Sequence, residues 1–178
     1  MHKEKQHHRV LSIYPAVRGF AFVLFDSPEK IMDWGRREIG KDVTGAKAAD
    51  AIIDLLRRNR PDIVVIGDVD ERRSVPAMRL KRIYKVIQKP IAEVGAEVAV
   101  VSRRNVRLAF AQFGALTKQD IANVIAEKVE ALSTRVPRPR KAWMGEDHRM
   151  SVFDAASRAL AYYQMEDQVD RASHGKDA

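Results

Sequence analysis

The chain contains no cysteine. A disulfide framework and any thiolate zinc site are therefore excluded. No apolar run approaches the roughly 18 residues of a membrane span. The opening segment MHKEKQHHR has no hydrophobic stretch behind its charges, so no secretory signal is expected and the cytoplasm is the expected location. The phosphate cradles GxxxxGK[ST] and strand-linked GxGxxG are missing, which removes the familiar nucleotide-dependent enzymes. So is the GxSxG elbow of serine hydrolases. The five histidines fall mostly in the two tails, and His2, His7 and His8 read as a solvated tract rather than a metal site.

Positive charge is abundant. There are 32 Lys and Arg against 24 Asp and Glu, giving +8 at pH 7 and a pI near 9.9. Such an excess points to a polyanionic partner, because every cation placed on a phosphate releases a counterion. With 178 residues, 46% of them hydrophobic, the chain can bury one sizeable core.

Periodicity supplies the order of elements. The runs RVLSIY (9–14) and FAFVLFD (20–26) flank the short connection PAVRG and read as a hairpin, to which IMDWGRREI (31–39) adds a third antiparallel strand. Thr44 opens a helix whose Ala48, Ile52, Leu55 and Leu56 share one face. DIVVIGD (62–68) is an almost unbroken apolar run, as in strands buried on both faces. A helix from Pro76 carries Leu80, Ile83, Ile87, Ile91 and Val94 at steps of three and four, with a kink expected at Pro90. EVAVVS (97–102) is a fifth strand, and Thr117 opens a helix bearing Ile121, Val124, Ile125 and Leu132. Residues 133–149, rich in proline and basic side chains, read as a long loop before a last helix, MSVFDAASRALAYYQ. The expected order is βββαβαβαα. Residues 1–8 are expected to be a disordered basic tail, 9–164 the folded domain, and 165–178 a polar, disordered tail.

This order, with the segments LSIYPAVRGFAFVLFD, DIVVIGD, FGALTKQDIANVIAEKV and FDAASRALAYY, resembles the RuvC-type Holliday junction resolvases of the RNase H-like superfamily. The resemblance implies an α/β, RNase H-like fold: a mixed five-stranded sheet, three antiparallel strands then two parallel, flanked by helices. It also implies a Mg²⁺- or Mn²⁺-dependent endonuclease acting on nucleic acid, with branched or single-stranded DNA favoured as partner, and a homodimer.

The family's first strand ends on an aspartate that holds the catalytic metal. Here that place reads Tyr14, followed by Pro15 and Ala16. Two-metal phosphodiester hydrolysis needs carboxylates converging on ions roughly 3.5–4 Å apart. A neutral phenol is a poor ligand for Mg²⁺. The family's glutamate at the end of the fourth strand falls on Gly67, or on Asp68 with a shift of one residue, and Asp154 matches its last motif. Asp68, Asp70, Glu146, Asp147 and Asp154 are the candidate acidic set, and Asp68, Asp70 and Asp154 are the candidate metal ligands of a reorganised centre. Equally, Asp68 and Asp70 end a strand, Glu146 and Asp147 cap a helix, and Asp154 is a remnant.

Arg103, Arg104 and Arg107 follow the fifth strand, Lys118 stands where the family has a lysine ahead of a helix, and Arg138, Arg140, Lys141 and Trp143 share the proline-rich loop. Interleaved cations and an aromatic ring can grip phosphates and stack on a base. Three readings follow: a RuvC-like nucleic-acid-binding protein impaired in cleavage by Tyr14, an active metal-dependent nuclease with a rearranged acid set, and a basic protein-interaction module.

Overall fold

A computed structural model describes residues 6–16, 18–42, 44–69 and 75–174. Strands β1 (Val10–Ala16), β2 (Gly19–Ser27) and β3 (Lys30–Glu38) form an antiparallel meander, and β4 (Ile63–Ile66) and β5 (Glu97–Val100) extend the sheet in parallel beyond β1, in the order β3-β2-β1-β4-β5. This is the mixed five-stranded sheet that the sequence leads one to expect. Helices α1 (Ala46–Asn59), α2 (Val75–Glu93), α3 (Arg103–Ala111), α4 (Lys118–Lys128) and α5 (Met150–His174) complete it, with a 3-10 turn at Glu130–Arg135.

Alternation along the strands divides the core in two. One face carries Leu11, Ile13, Phe20, Phe22 and Leu24 against Ile52, Leu55 and Leu56 of α1 and Ile83, Ile87 and Ile91 of α2. The other carries Val10, Val23, Phe25 and Val65 against α3, α4 and α5, with Phe153, Ala156 and Ala159 buried in the contact. β4 is buried throughout, as its unbroken apolar run implies.

Several boundaries differ from those read in the sequence. β1 does not stop at Tyr14: Pro15 and Ala16 pair with Phe20 and Gly19. The register of β1 with β4 runs from Val10↔Ile63 to Ser12↔Val65, so Pro15 lies where β1 pairs on one side only and its missing N–H breaks no second ladder. Gly19 closes the meander because a Cβ there would fall 1.7 Å from the Arg37 carbonyl oxygen.

Helix α3 is an addition to the expected order. It is opened by Ser102, whose hydroxyl accepts from the Asn105 amide while the Asn105 side chain accepts from the Ser102 N–H. Asn in place of Glu or Gln hides this capping box from the usual pattern.

Helix α5 continues to His174, ten residues beyond the expected boundary at 164. Tyr162 donates to Glu166 one turn on, and Glu166 also meets the His8 imidazole. His7 packs edge-on to Tyr163, whose hydroxyl donates to the His8 carbonyl at 2.7 Å. His7 and His8 thus lie against α5. No helix among the described residues is long and apolar enough to cross a membrane.

Helix α4 is also capped reciprocally: the Thr117 hydroxyl accepts from the Asp120 N–H at 3.1 Å, and the Asp120 carboxylate accepts from the Thr117 N–H at 2.9 Å. These bonds hold the Asp120 carboxyl below its usual range and fix the first turn, which carries Lys118. Thr117→Ala should lower stability by about 1 kcal/mol. In urea this appears as a reduced midpoint with an unchanged slope.

Candidate functional site

Two residues beyond Ser12↔Val65, the parallel register brings Tyr14 level with Gly67. On the other side Tyr14 pairs with Ala21, and Ala21 with Arg36. The Ile66↔Val100 pair places Val101 next to Gly67, and the Val101 N–H donates to the Ile66 carbonyl. Arg36, Ala21, Tyr14, Gly67 and Val101 therefore form one row across the sheet, at the carboxyl ends of the parallel strands, where open α/β sheets bind ligands.

Arg158 lies along this row. Its guanidinium sits 4.9 Å from the centroid of the Tyr14 ring, and its Nε donates to the Val101 carbonyl at 3.2 Å. A Cβ on Gly67 would come within 3.0 Å of the guanidinium carbon. Glycine at this place leaves the space that the guanidinium fills.

Asp154 stands one turn before Arg158 on α5, with a side chain only 15% exposed. Lys118 Nζ donates to it at 3.0 Å and to Glu146 at 2.8 Å, and lies 5.9 Å from the Tyr14 ring centroid. Burial pushes the Asp154 carboxyl above its ordinary value, against the pull of Lys118. Burial acts to lower the Lys118 ammonium, but the Asp154 charge and the Glu146 hydrogen bond outweigh it, so the ammonium titrates above its ordinary value and stays charged at neutral pH. Tyr14 is raised by burial and then by Asp154, which keeps the phenol neutral.

A small cleft of about 80 Å³ opens beside these groups, lined by Arg103, Arg107, Lys118, Arg158, Asp154 and Ser157 among others. Four cations and one largely buried carboxylate thus line the same cleft. Leu116, 82% exposed, stands at its rim.

Of the acids marked in the sequence, Glu146 and Asp154 meet through Lys118. Asp147 turns away to Arg149, which donates to it at 2.7 Å and holds it below its usual range. Asp68 is half-buried just past β4, and Asp70 lies outside the described residues. Asp26 is at the opposite end of β2, paired with Arg9 and Lys30. Of the cations, Arg103 and Arg107 line the cleft, whereas Arg104 is exposed elsewhere on α3. Arg138, Arg140, Lys141 and Trp143 are exposed on the loop, with the Lys141 ammonium 5.3 Å from the Trp143 ring centroid.

The described residues do not fit a two-metal centre. No group of three or more His, Cys, Asp or Glu among them is placed to hold a metal ion. An ammonium already neutralises the buried carboxylate, and a guanidinium lies beside the phenol. Sequence reasoning missed Arg158, although its signal was present: four residues after Asp154, it must share that face of the helix.

Solved structures match this arrangement of elements. RuvC of Thermus thermophilus, in complex with a Holliday junction substrate, aligns over 90% of this chain and 97% of its own, with a TM-score of 0.66 and 16% identity. The chain has the RuvC fold. A second T. thermophilus RuvC structure aligns over 89% and 96%, with a TM-score of 0.60 and 18% identity. The fowlpox virus Holliday junction resolvase aligns over 88% and 99%, at 0.54 and 16%. No protein-family model and no curated protein matches the chain. At these identities the likeness is one of fold.

Removing the ammonium should expose the strain in this cluster. In Lys118→Met the Asp154 carboxylate stays buried beside Glu146 without its cation, and stability should fall by about 1–3 kcal/mol, less than for a fully buried pair because Lys118 is partly exposed. A carboxyl whose pKa is raised by folding favours the fold below its unfolded value, near 4, and that contribution is lost as pH rises through the folded value. The defect of Lys118→Met should therefore be small near pH 4 and grow toward neutrality. Lys118→Met/Asp154→Leu should recover most of the loss, as urea titrations at several pH values would show.

Proposed function

We propose that this chain is a nucleic-acid-binding protein that uses the RuvC-type fold to hold phosphodiester strands with its own cations and is impaired in metal-dependent cleavage. The observation that carries the proposal is the Lys118 ammonium on Asp154 and Glu146, together with the Arg158 guanidinium lying beside Tyr14 and Gly67. Divalent ions in a nuclease do two things: they neutralise the phosphate, and they turn a bound water into hydroxide near neutral pH. Lysine and arginine can take over the first task through charge-assisted hydrogen bonds. They cannot perform the second, since neither acts as a Lewis acid. A strand would thus be held and not cut.

The choice of partner follows from the RuvC structure solved with a Holliday junction substrate, and from the basic excess of this chain. Branched DNA is the favoured partner and single strands the next. Arg103, Arg107, Lys118 and Arg158 would meet the phosphate at the cleft, and Arg138, Arg140, Lys141 and Trp143 an adjoining stretch of backbone and a base. A homodimer belongs to the same reading, as two copies would present two such clefts to the arms of one junction.

Filter binding of a four-way junction across a salt series, with Mg²⁺ and with chelator, tests the proposal. Affinity should fall steeply with salt, at a slope of about −0.9 per phosphate contact. It should be indifferent to chelator, and it should weaken in Arg107→Ala and Arg158→Ala. Cleavage of the junction in Mg²⁺ or Mn²⁺ that is abolished by Asp154→Asn would overturn the impaired reading in favour of a reorganised carboxylate centre. Absence of binding at low salt would remove nucleic acid and leave the protein-interaction module.

The loop offers a separate test. Its side chains Arg138, Arg140 and Trp143 are exposed, while the segment is anchored by buried Pro137, whose carbonyl accepts from Gln119 Nε2 at 2.9 Å. Changing the three exposed residues to alanine should weaken junction binding with little change in melting temperature, measured by calorimetry on the same samples.

A further inference from the structure

A second groove lies at the other end of the row that crosses the sheet. It encloses about 250 Å³ and is lined by Trp34, Gly35 and Arg36 of β3, by Arg135, by His148 and Arg149 just before α5, and by Val152 and Phe153 in its first turn. Phe153 also lines the cleft at Asp154, so the two depressions flank the same turn of α5. In strand spacings, Arg36 is two steps from Tyr14, about 10 Å.

The chemistry of the groove differs from that of the cleft. Its floor is the half-buried Trp34 indole, together with the apolar side chains of Val152 and Phe153. The Arg135 guanidinium is 5.3 Å from the Trp34 ring centroid, over one side of the indole. Arg36 meets the exposed Glu38 at 3.1 Å, and Arg149 meets Asp147. Three arginines and a histidine thus stand around one aromatic surface, with two carboxylates offsetting part of the charge. Flat apolar surface rimmed by guanidinium groups suits a ligand with a π-face and an attached anion, which is the chemistry of a nucleobase and its phosphate.

Resting on the nucleic-acid reading above, we propose that this groove holds an unpaired nucleobase, stacked on Trp34 with its phosphate toward Arg36 and Arg135, from the strand whose backbone crosses the Lys118–Arg158 cleft. The site would favour single-stranded segments, because a base inside a duplex cannot offer its face to the indole. Arg135, resting on the ring in the free protein, would move to pair with the phosphate once a base takes the indole.

The chain has two tryptophans, so a Trp143→Phe background, with its own affinity as the reference, leaves Trp34 as the sole indole reporter. Titration with oligothymidylate should quench that fluorescence. An abasic oligonucleotide of equal length, with the same phosphates and no bases, should bind more weakly and leave Trp34 unquenched. Trp34→Leu should weaken oligothymidylate binding about tenfold and leave the abasic affinity unchanged. Trp34→Phe, which keeps an aromatic face, should recover part of the loss and guards against a folding defect in the leucine variant. Equal affinity for the two oligonucleotides, with Trp34 indifferent to both, overturns the base site while salt-dependent binding upholds the nucleic-acid reading. Failure to bind either at low salt overturns both. Quenching by an acidic peptide in place of DNA would assign the groove to a protein partner and overturn the base site.

Discussion

A buried carboxylate must find a cation, and in this protein Asp154 finds Lys118. The consequences extend through one side of the molecule. Asp154 projects from a helix whose neighbouring residues Phe153, Ala155 and Ala156 are in the core, and its own side chain is only 15% exposed. α4 must therefore begin where its first residue reaches inward, and the reciprocal cap of Thr117 and Asp120 fixes that start. Glu146 is drawn in from the loop to share the same ammonium. The loop between the 3-10 turn and α5 is thus tied at Pro137 and again at Glu146, with its arginines and Trp143 exposed between the ties.

The same constraint explains the pairing of residues that look unrelated in the sequence. Tyr14, Gly67 and Arg158 are distant in the chain, yet each makes the others possible. An aspartate at position 14 would bring a further carboxylate beside Asp154 and Glu146. A glutamate at 67 would need the volume that the Arg158 guanidinium fills. Once both positions are neutral, the sheet can accept a guanidinium across its carboxyl ends, where it is fixed by the Val101 carbonyl and faces the Tyr14 ring. On the proposed reading, neutral residues at 14 and 67 and the guanidinium of Arg158 go together.

The sheet was legible in the sequence because alternation and apolar runs report directly on two buried faces, and the segments around Tyr14, Asp68 and Asp154 lie on that frame. Helix α3 was not, because Arg103, Arg104 and Arg107 dominate its composition and its capping box uses Asn105. The extension of α5 to His174 was hidden for a different reason. Its polar residues look solvated in sequence, whereas Glu166 is held between Tyr162 and His8 through contacts with the far end of the chain. The acidic set was legible as composition and not as geometry. Glu146 and Asp147 are adjacent in sequence, but one joins the site and the other closes on Arg149.

A fixed side-chain cation and a bound metal ion differ in what they allow a phosphate to do. A metal ion brings open coordination positions and leaves with chelator, so occupancy and reactivity rise together. Lys118 and Arg158 are covalently part of the fold, and their charge persists over the whole physiological pH range. They provide attraction with no exchangeable position at which water could be activated. The cleft and the tryptophan groove flank the same turn of α5, and of the arginines and lysines that line them only Arg36 stands on a strand, the rest being carried by helices and their connections. On the reading proposed above, cations spread over two neighbouring depressions would contact successive phosphates of one strand.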